Sequence, residues 1–139
     1  MELFEAFGEV SWLAVVLAAL SNFAVGYVWY HQRVFGARWA ALAGVRTDGD
    51  PGGMGAQFGI LAVVALASAA TLNALMLATD AHGVGEGVLL AGVLALVLRA
   101  GAHFIHNGFA QRPVALSVLD GAHDVLAAML MGALLGLWV

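Results

Sequence analysis

Apolar residues run through this chain in four long blocks, Val10 to Tyr30, Gln57 to Thr79, Val84 to Ile105 and Val118 to Val139, set apart by short polar interruptions. A helix crossing about 30 Å of hydrocarbon takes roughly 20 residues, and each block supplies that length. The pattern predicts an all-α fold, a four-transmembrane-helix bundle forming a single integral membrane domain over residues 1–139, with helices near 10–30, 57–79, 84–105 and 118–139. Within the first connection, Val34 to Leu42 is patterned as a short interfacial helix with Phe35, Trp39 and Leu42 turned to lipid. The stretch Thr47 to Gly53 is rich in turn-forming residues. Asp48 and Asp50 lack the closing acidic residue of an EF-hand, so this stretch reads as a solvated loop and not as a calcium site. Trp12, Trp29, Tyr30, Trp39 and Trp138 fall near predicted helix ends, where aromatic side chains anchor a helix at the interface.

Composition strengthens the membrane reading. Of 139 residues, 63% are hydrophobic and 10% charged, and the mean hydropathy is +0.94. That leaves too little polar surface for a soluble globular domain. The formal net charge of -4 comes with no basic stripe, which argues against nucleic-acid binding. Cysteine is absent, removing disulfides, thiolate metal sites and a cysteine nucleophile from consideration. Glu2, Glu5 and Glu9 precede the first apolar block where a secretory signal would carry a basic region, so the first helix is expected to be retained.

All five basic residues are arginines. Arg33, Arg38 and Arg46 follow the first block, Arg112 follows the third, Arg99 lies inside the third, and the connection from Asp80 to Gly87 has none. The positive-inside rule then places the first and third connections in the cytoplasm and both termini on the outer face of the inner membrane. The chain has 18 glycines, and Gly132-x-x-x-Gly136 and Gly55-x-x-x-Gly59 match the small-residue motif that lets helix backbones approach. Packing within one chain and a homodimer both account for them. A short echo between Tyr30-His31 with Phe35 and Ile105-His106 with Phe109 hints at duplicated hairpins.

Ionisable residues concentrate where lipid makes them costly. Arg99, His103 and His106 stand at i, i+4 and i+7 on the third helix, one face over about 10 Å of axis. Asp120, His123 and Asp124 share a face near the start of the fourth, with Ser117 as candidate N-cap and Asp120 completing a capping box. The short connection makes the two helices antiparallel neighbours, so the stripes are expected to meet at the cytoplasmic end, with His31 at matching depth.

Three readings of this cluster stay open. Arg99 pairing with Asp120 or Asp124 would lock the hairpin register, each interhelical polar contact being worth about 1 kcal/mol. His103, His106 and His123 with Asp120 or Asp124 would hold a divalent metal, zinc or non-haem iron, although Arg99 sets a positive charge beside it. Titrating histidines would handle protons or small ions, with Ser21, Asn22, Ser68, Thr71 and Asn73 as candidates for a polar path to the outer face. A bis-histidine haem on His103 or His106 with His123 would need a wide apolar cleft. Nothing in the spacing recommends a hydrolase or a phosphate loop. The favoured reading is ion- or proton-linked transport through a cytoplasmic-side cluster; the alternatives are a non-catalytic structural or partner-binding module and a metal-binding membrane protein.

Ser11-Trp12 entering the first helix, Trp29-Tyr30 leaving it, Phe35-Gly36-x-x-Trp39 after it, His103 to Asn107 closing the third, Asp120-Gly121-x-His123 opening the fourth and Met131-Gly132-Ala133 with Trp138 ending it form an ordered set. It resembles the small four-helix bacterial membrane proteins known only as a domain of unknown function, over essentially the whole chain. That resemblance implies the fold and carries no functional residues onto these positions. Small multidrug exporters share the helix number, but they need a membrane-embedded glutamate in the first helix, and Val10 to Tyr30 holds no carboxylate.

Overall fold

The computed structural model describes residues 1–46, 48 and 52–139, all-helical with no strand among them. Four helices are long and apolar enough to cross a membrane. They are α2 (Trp12–Trp29), α4 (Met54–Ala78), a continuous third span made of α5 (Gly83–Leu94), a π-helical segment (Ala95–Ala100) and α6 (Gly101–Phe109), and α7 (Val114–Leu135). A turn of helix, α1 (Leu3–Ala6), precedes them. In it Glu5 takes the Glu2 backbone N–H at 3.3 Å, so acids first read for their charge serve a local turn.

The spans start and stop where backbone chemistry dictates. Ser11 opens α2, its hydroxyl accepting from the Ala14 N–H at 3.4 Å. The second span begins at Met54, earlier than expected, behind Gly53 at φ +89°. The third continues through Asn107 and Gly108 to Phe109, and the turn falls at Gln111, φ +55°. The fourth starts at Val114, directly behind Pro113. Proline has no N–H to lose and a φ already helical, which makes it a strong start signal. This corrects the expected cap: Ser117 lies inside the first turn, and no capping box joins it to Asp120.

The short helix after the first span exists as a π turn (Gln32–Gly36) running into α3 (Ala37–Ala43). Its aromatic rings do not all turn to lipid. Phe35 packs on Trp29 with centroids 4.5 Å apart, and Trp39 meets Tyr30 edge-on at 5.5 Å. The chain doubles back so tightly here that a Cβ on Gly36 would collide with the Tyr30 carbonyl. Of the turn-rich stretch, Thr47, Gly49, Asp50 and Pro51 lie outside the described residues; Asp48 pairs with Arg46 at 3.2 Å on the exposed surface.

The interior is built mainly from alanine, including Ala14, Ala18, Ala69, Ala74 and Ala91, closed by Val15, Met76 and Leu135. Small side chains bring backbones together, and the extreme case is α5 against α7. A Cβ on Gly87 would collide with the Gly132 carbonyl, and one on Gly132 with the Gly87 carbonyl; Gly136 meets Gly83 in the same way. The Gly132-x-x-x-Gly136 motif is therefore engaged inside the chain, while Gly55 and Gly59 have nothing within 4 Å. The contact line on the third span advances by four residues through Gly87, Ala91 and Ala95, all buried, then by five to Ala100, whose Cβ would sit 3.0 Å from one placed on Gly121. A π turn closes with i to i+5 bonds, so five residues return to the same face. It keeps the span on α7 all the way to the polar residues beyond.

Candidate functional site

Where α6 leans on the first half of α7, the end of α2 closes over them, and polar side chains descend from the Phe109 and Val114 ends in three levels. At a rise of 1.5 Å per residue, Asn107 and Ser117 lie roughly 3–5 Å in, His103 and Asp120 about 9 Å, and Arg99 and Asp124 about 15 Å.

At the first level the Asn107 amide donates to Ser117 Oγ at 3.1 Å, and that hydroxyl donates to the His103 carbonyl at 3.1 Å. Ser117 is buried, and its hydroxyl satisfies an α6 backbone carbonyl from across the helix contact. At the second level the Tyr30 hydroxyl donates to Asp120 Oδ1 at 2.7 Å. Burial first, and then the bond to Asp120, pushes the Tyr30 phenol well above its ordinary range, so it stays a proton donor in water of any physiological pH.

The third level is organised by one carboxylate. Asp124 Oδ2 lies 3.1 Å from His103 Nε2 and 3.3 Å from Arg99 Nε, and Oδ1 lies 3.0 Å from His123 Nδ1. Asp124 and His123 are both 9% exposed. A carboxylate only accepts, so His123 carries its proton on Nδ1 and, when neutral, presents a lone pair at Nε2. That Nε2 is buried and has no hydrogen-bond partner, as is Trp29 Nε1, and the two rings stand 6.2 Å apart. A Cβ on Gly26 would sit 3.6 Å from His123 Nε2, so the imidazole rests on bare α2 backbone. Tyr30 covers its other side at a centroid distance of 4.9 Å.

Arg99, His103, His123 and Asp124 thus come together as expected, with Asp120 beside them through Tyr30. His106 does not join: it is exposed, because α6 meets α7 along an i+4 ridge that runs from His103 to Asn107. His31 does not join either. It is exposed, with Nδ1 accepting from the Arg33 N–H at 3.2 Å to start the π turn. Tyr30 takes the place foreseen for it, and Trp29, Asn107 and Ser117 complete the surroundings. The signal for Tyr30 was its position beside His31, read only as an interfacial anchor.

The geometry gives the metal reading no support. Among the described residues no three His, Asp or Glu side chains are placed to hold an ion. His103 and His123 spend their facing nitrogens on opposite oxygens of Asp124, and His106 points away, so the set His103, His106, His123 and Asp120 does not converge. The same geometry denies a haem two imidazoles aimed into one cleft. Of the path candidates, Ser21 Oγ donates to the Ala18 carbonyl at 2.7 Å and Asn73 Oδ1 accepts from the Ser11 N–H at 3.0 Å. The Ser21 bond is local, Asn73 ties α4 to the start of α2 and keeps a buried Nδ2 without a partner, and Ser68 and Thr71 line an open groove.

The chain matches no curated protein and no solved structure. Residues 13–136, which include all four spans but for Trp12, match the family described as protein of unknown function (DUF1761). With the match covering most of the chain, this multi-pass protein belongs to the DUF1761 family.

Proposed function

We propose that the protein is a proton-handling membrane protein, in which His103, Asp124 and His123 relay a proton between the Phe109/Val114 end and the buried Nε2 of His123 beside Trp29. The observation that carries this reading is Asp124 bridging two imidazoles through its two oxygens, with the far nitrogen of His123 left free and buried. A proton taken at His123 Nε2 lets the Nδ1 proton pass to Asp124 Oδ1. The acid so formed can donate to His103 Nε2 after the carboxyl group turns over and carries its protonated oxygen to that side, once that imidazole carries its own proton on Nδ1. Arg99 favours the ionised carboxylate between transfers, which resets the relay. In this reading the cluster faces the cytoplasm and both termini lie outside the inner membrane, as the arginine bias expects. Single cysteines at Ala43 and Gly85 test that orientation, since reaction of position 43 from outside reverses it.

The decisive experiment is reconstitution into vesicles enclosing a pH-sensitive dye, with a potassium gradient and valinomycin as driving force. Wild-type protein should acidify the lumen faster than empty vesicles, and H123Q should abolish the difference while keeping its helical content. Flux equal to empty vesicles in the wild type, or undiminished in H123Q, overturns the proposal. A purely structural lock is favoured by one observation, that Arg99, His103 and His123 already satisfy Asp124. It predicts instead that the exchange R99D/D124R recovers all that either single change loses.

A further inference from the structure

Arg99 presents two sides to its surroundings. Its Nε faces Asp124, but among the described residues Nη1 and Nη2 have no hydrogen-bond partner, and the side chain is 42% exposed. It stands at one end of an open groove of about 430 Å³ running between α4, the third span and α7. Leu72, Leu75, Leu94 and Met131 form apolar walls, the hydroxyls of Ser68 and Thr71 lie along them, and no other charged residue lines the space. In a bilayer this opening would face lipid, because Arg99 lies roughly 15 Å inside the end of its helix. Two unpaired guanidinium nitrogens at that depth are costly, and their planar fork matches a carboxylate with two parallel bonds.

We propose that this groove binds a single-chain amphiphile with a carboxylate head, the chain lying on the apolar walls and both head oxygens on Arg99 Nη1 and Nη2. The volume falls within the range of about 300–1,000 Å³ common to small-molecule sites. A carboxylic acid has a neutral form that enters hydrocarbon cheaply. A diacyl phospholipid carries a permanently ionised phosphate anchored at the interface, and two chains for one groove. The proposal does not depend on proton handling, since it uses the side of Arg99 turned away from Asp124.

A diazirine-bearing hexadecanoic acid tests it on the full chain in phosphatidylcholine nanodiscs. The probe should label peptides covering residues 64–75 or 91–99. Unlabelled hexadecanoic acid should compete, and its methyl ester should not. R99Q should weaken labelling roughly tenfold or more, the loss expected for a charge-assisted pair, while R33Q in the first connection leaves it unchanged. T71W, which fills the groove without touching the Arg99 and Asp124 pair, should also abolish labelling, and it decides the question if R99Q fails to fold. Competition by the ester as strong as by the acid, or labelling that survives T71W, overturns the proposal. So does phosphatidylglycerol displacing the probe as well as the acid does, because the site would then hold ordinary anionic lipid.

Discussion

Replacing Gly132 by alanine tests the closest helix contact in the molecule. The added Cβ would overlap the Gly87 carbonyl and stand 2.8 Å from the Ala91 Cβ. An aliphatic carbon normally keeps about 3.3 Å or more from a carbonyl oxygen. The neighbours are backbone and a methyl group fixed to it, so no side chain can swing aside and α5 and α7 must separate by roughly 1 Å. Overpacking of this kind costs about 1–3 kcal/mol, and rigid neighbours place it near the upper end. Alanine returns up to about 1 kcal/mol of helix propensity, which leaves a net loss near 2 kcal/mol. Gly59, with nothing within 4 Å, is the control: G59A keeps the propensity gain alone. Equilibrium unfolding in mixed micelles with rising dodecyl sulfate, followed by circular dichroism, should separate the two variants by about 3 kcal/mol. Equal stability of G132A and G59A would refute the argument that this seam depends on the absence of side chains.

Three further expectations use the same micelle preparation. S117A should lose about 1 kcal/mol, since the Asn107 amide loses its acceptor and the His103 carbonyl its second donor; an unchanged midpoint would show that neither bond contributes. D124N should destabilise more than S117A by leaving Arg99 beside a neutral group, and R99D/D124R should regain part of that loss; a double variant worse than both singles would exclude a simple ion pair. Tyr30 should remain protonated beyond the ordinary range of a tyrosine, because burial and the bond to Asp120 both oppose its ionisation. A group raised in this way contributes stability that is complete below its unfolded pKa and lost as pH climbs beyond it. Phenolate absorbance in Y27F protein reports Tyr30 alone, and its appearance at an ordinary alkaline pH would contradict burial against Asp120.

The spans were legible because block length against bilayer thickness is a coarse signal that no neighbour can override. Pairing of Arg99 and His103 with Asp124 was legible too, since antiparallel neighbours at equal depth leave few partners for a charge in lipid. The fate of His106 was not. Helical periodicity puts it on the same face as Arg99, but the tilt of α6 across α7 selects Asn107, and that tilt is a property of two helices together. Ser117 was misassigned because serine and proline both mark helix starts, and only the folded chain decides which one ends the turn. Tyr30 entered the site through a reversal of the chain at Gly36, a local event with no periodic trace.

The π turn at Ala95–Ala100 divides the third span into a packing half and a chemical half. One residue more than an α turn is spent there. Deleting a residue within it would rotate everything beyond by about 100° and draw it back 1.5 Å. The glycine seam before it would keep its place, whereas His103 and Asn107 would swing off α7. Insertion or loss of a single codon is thus enough to uncouple the scaffold from the cluster it carries, so that in related chains the presence of this extra residue should travel with the polar residues and not with the glycines.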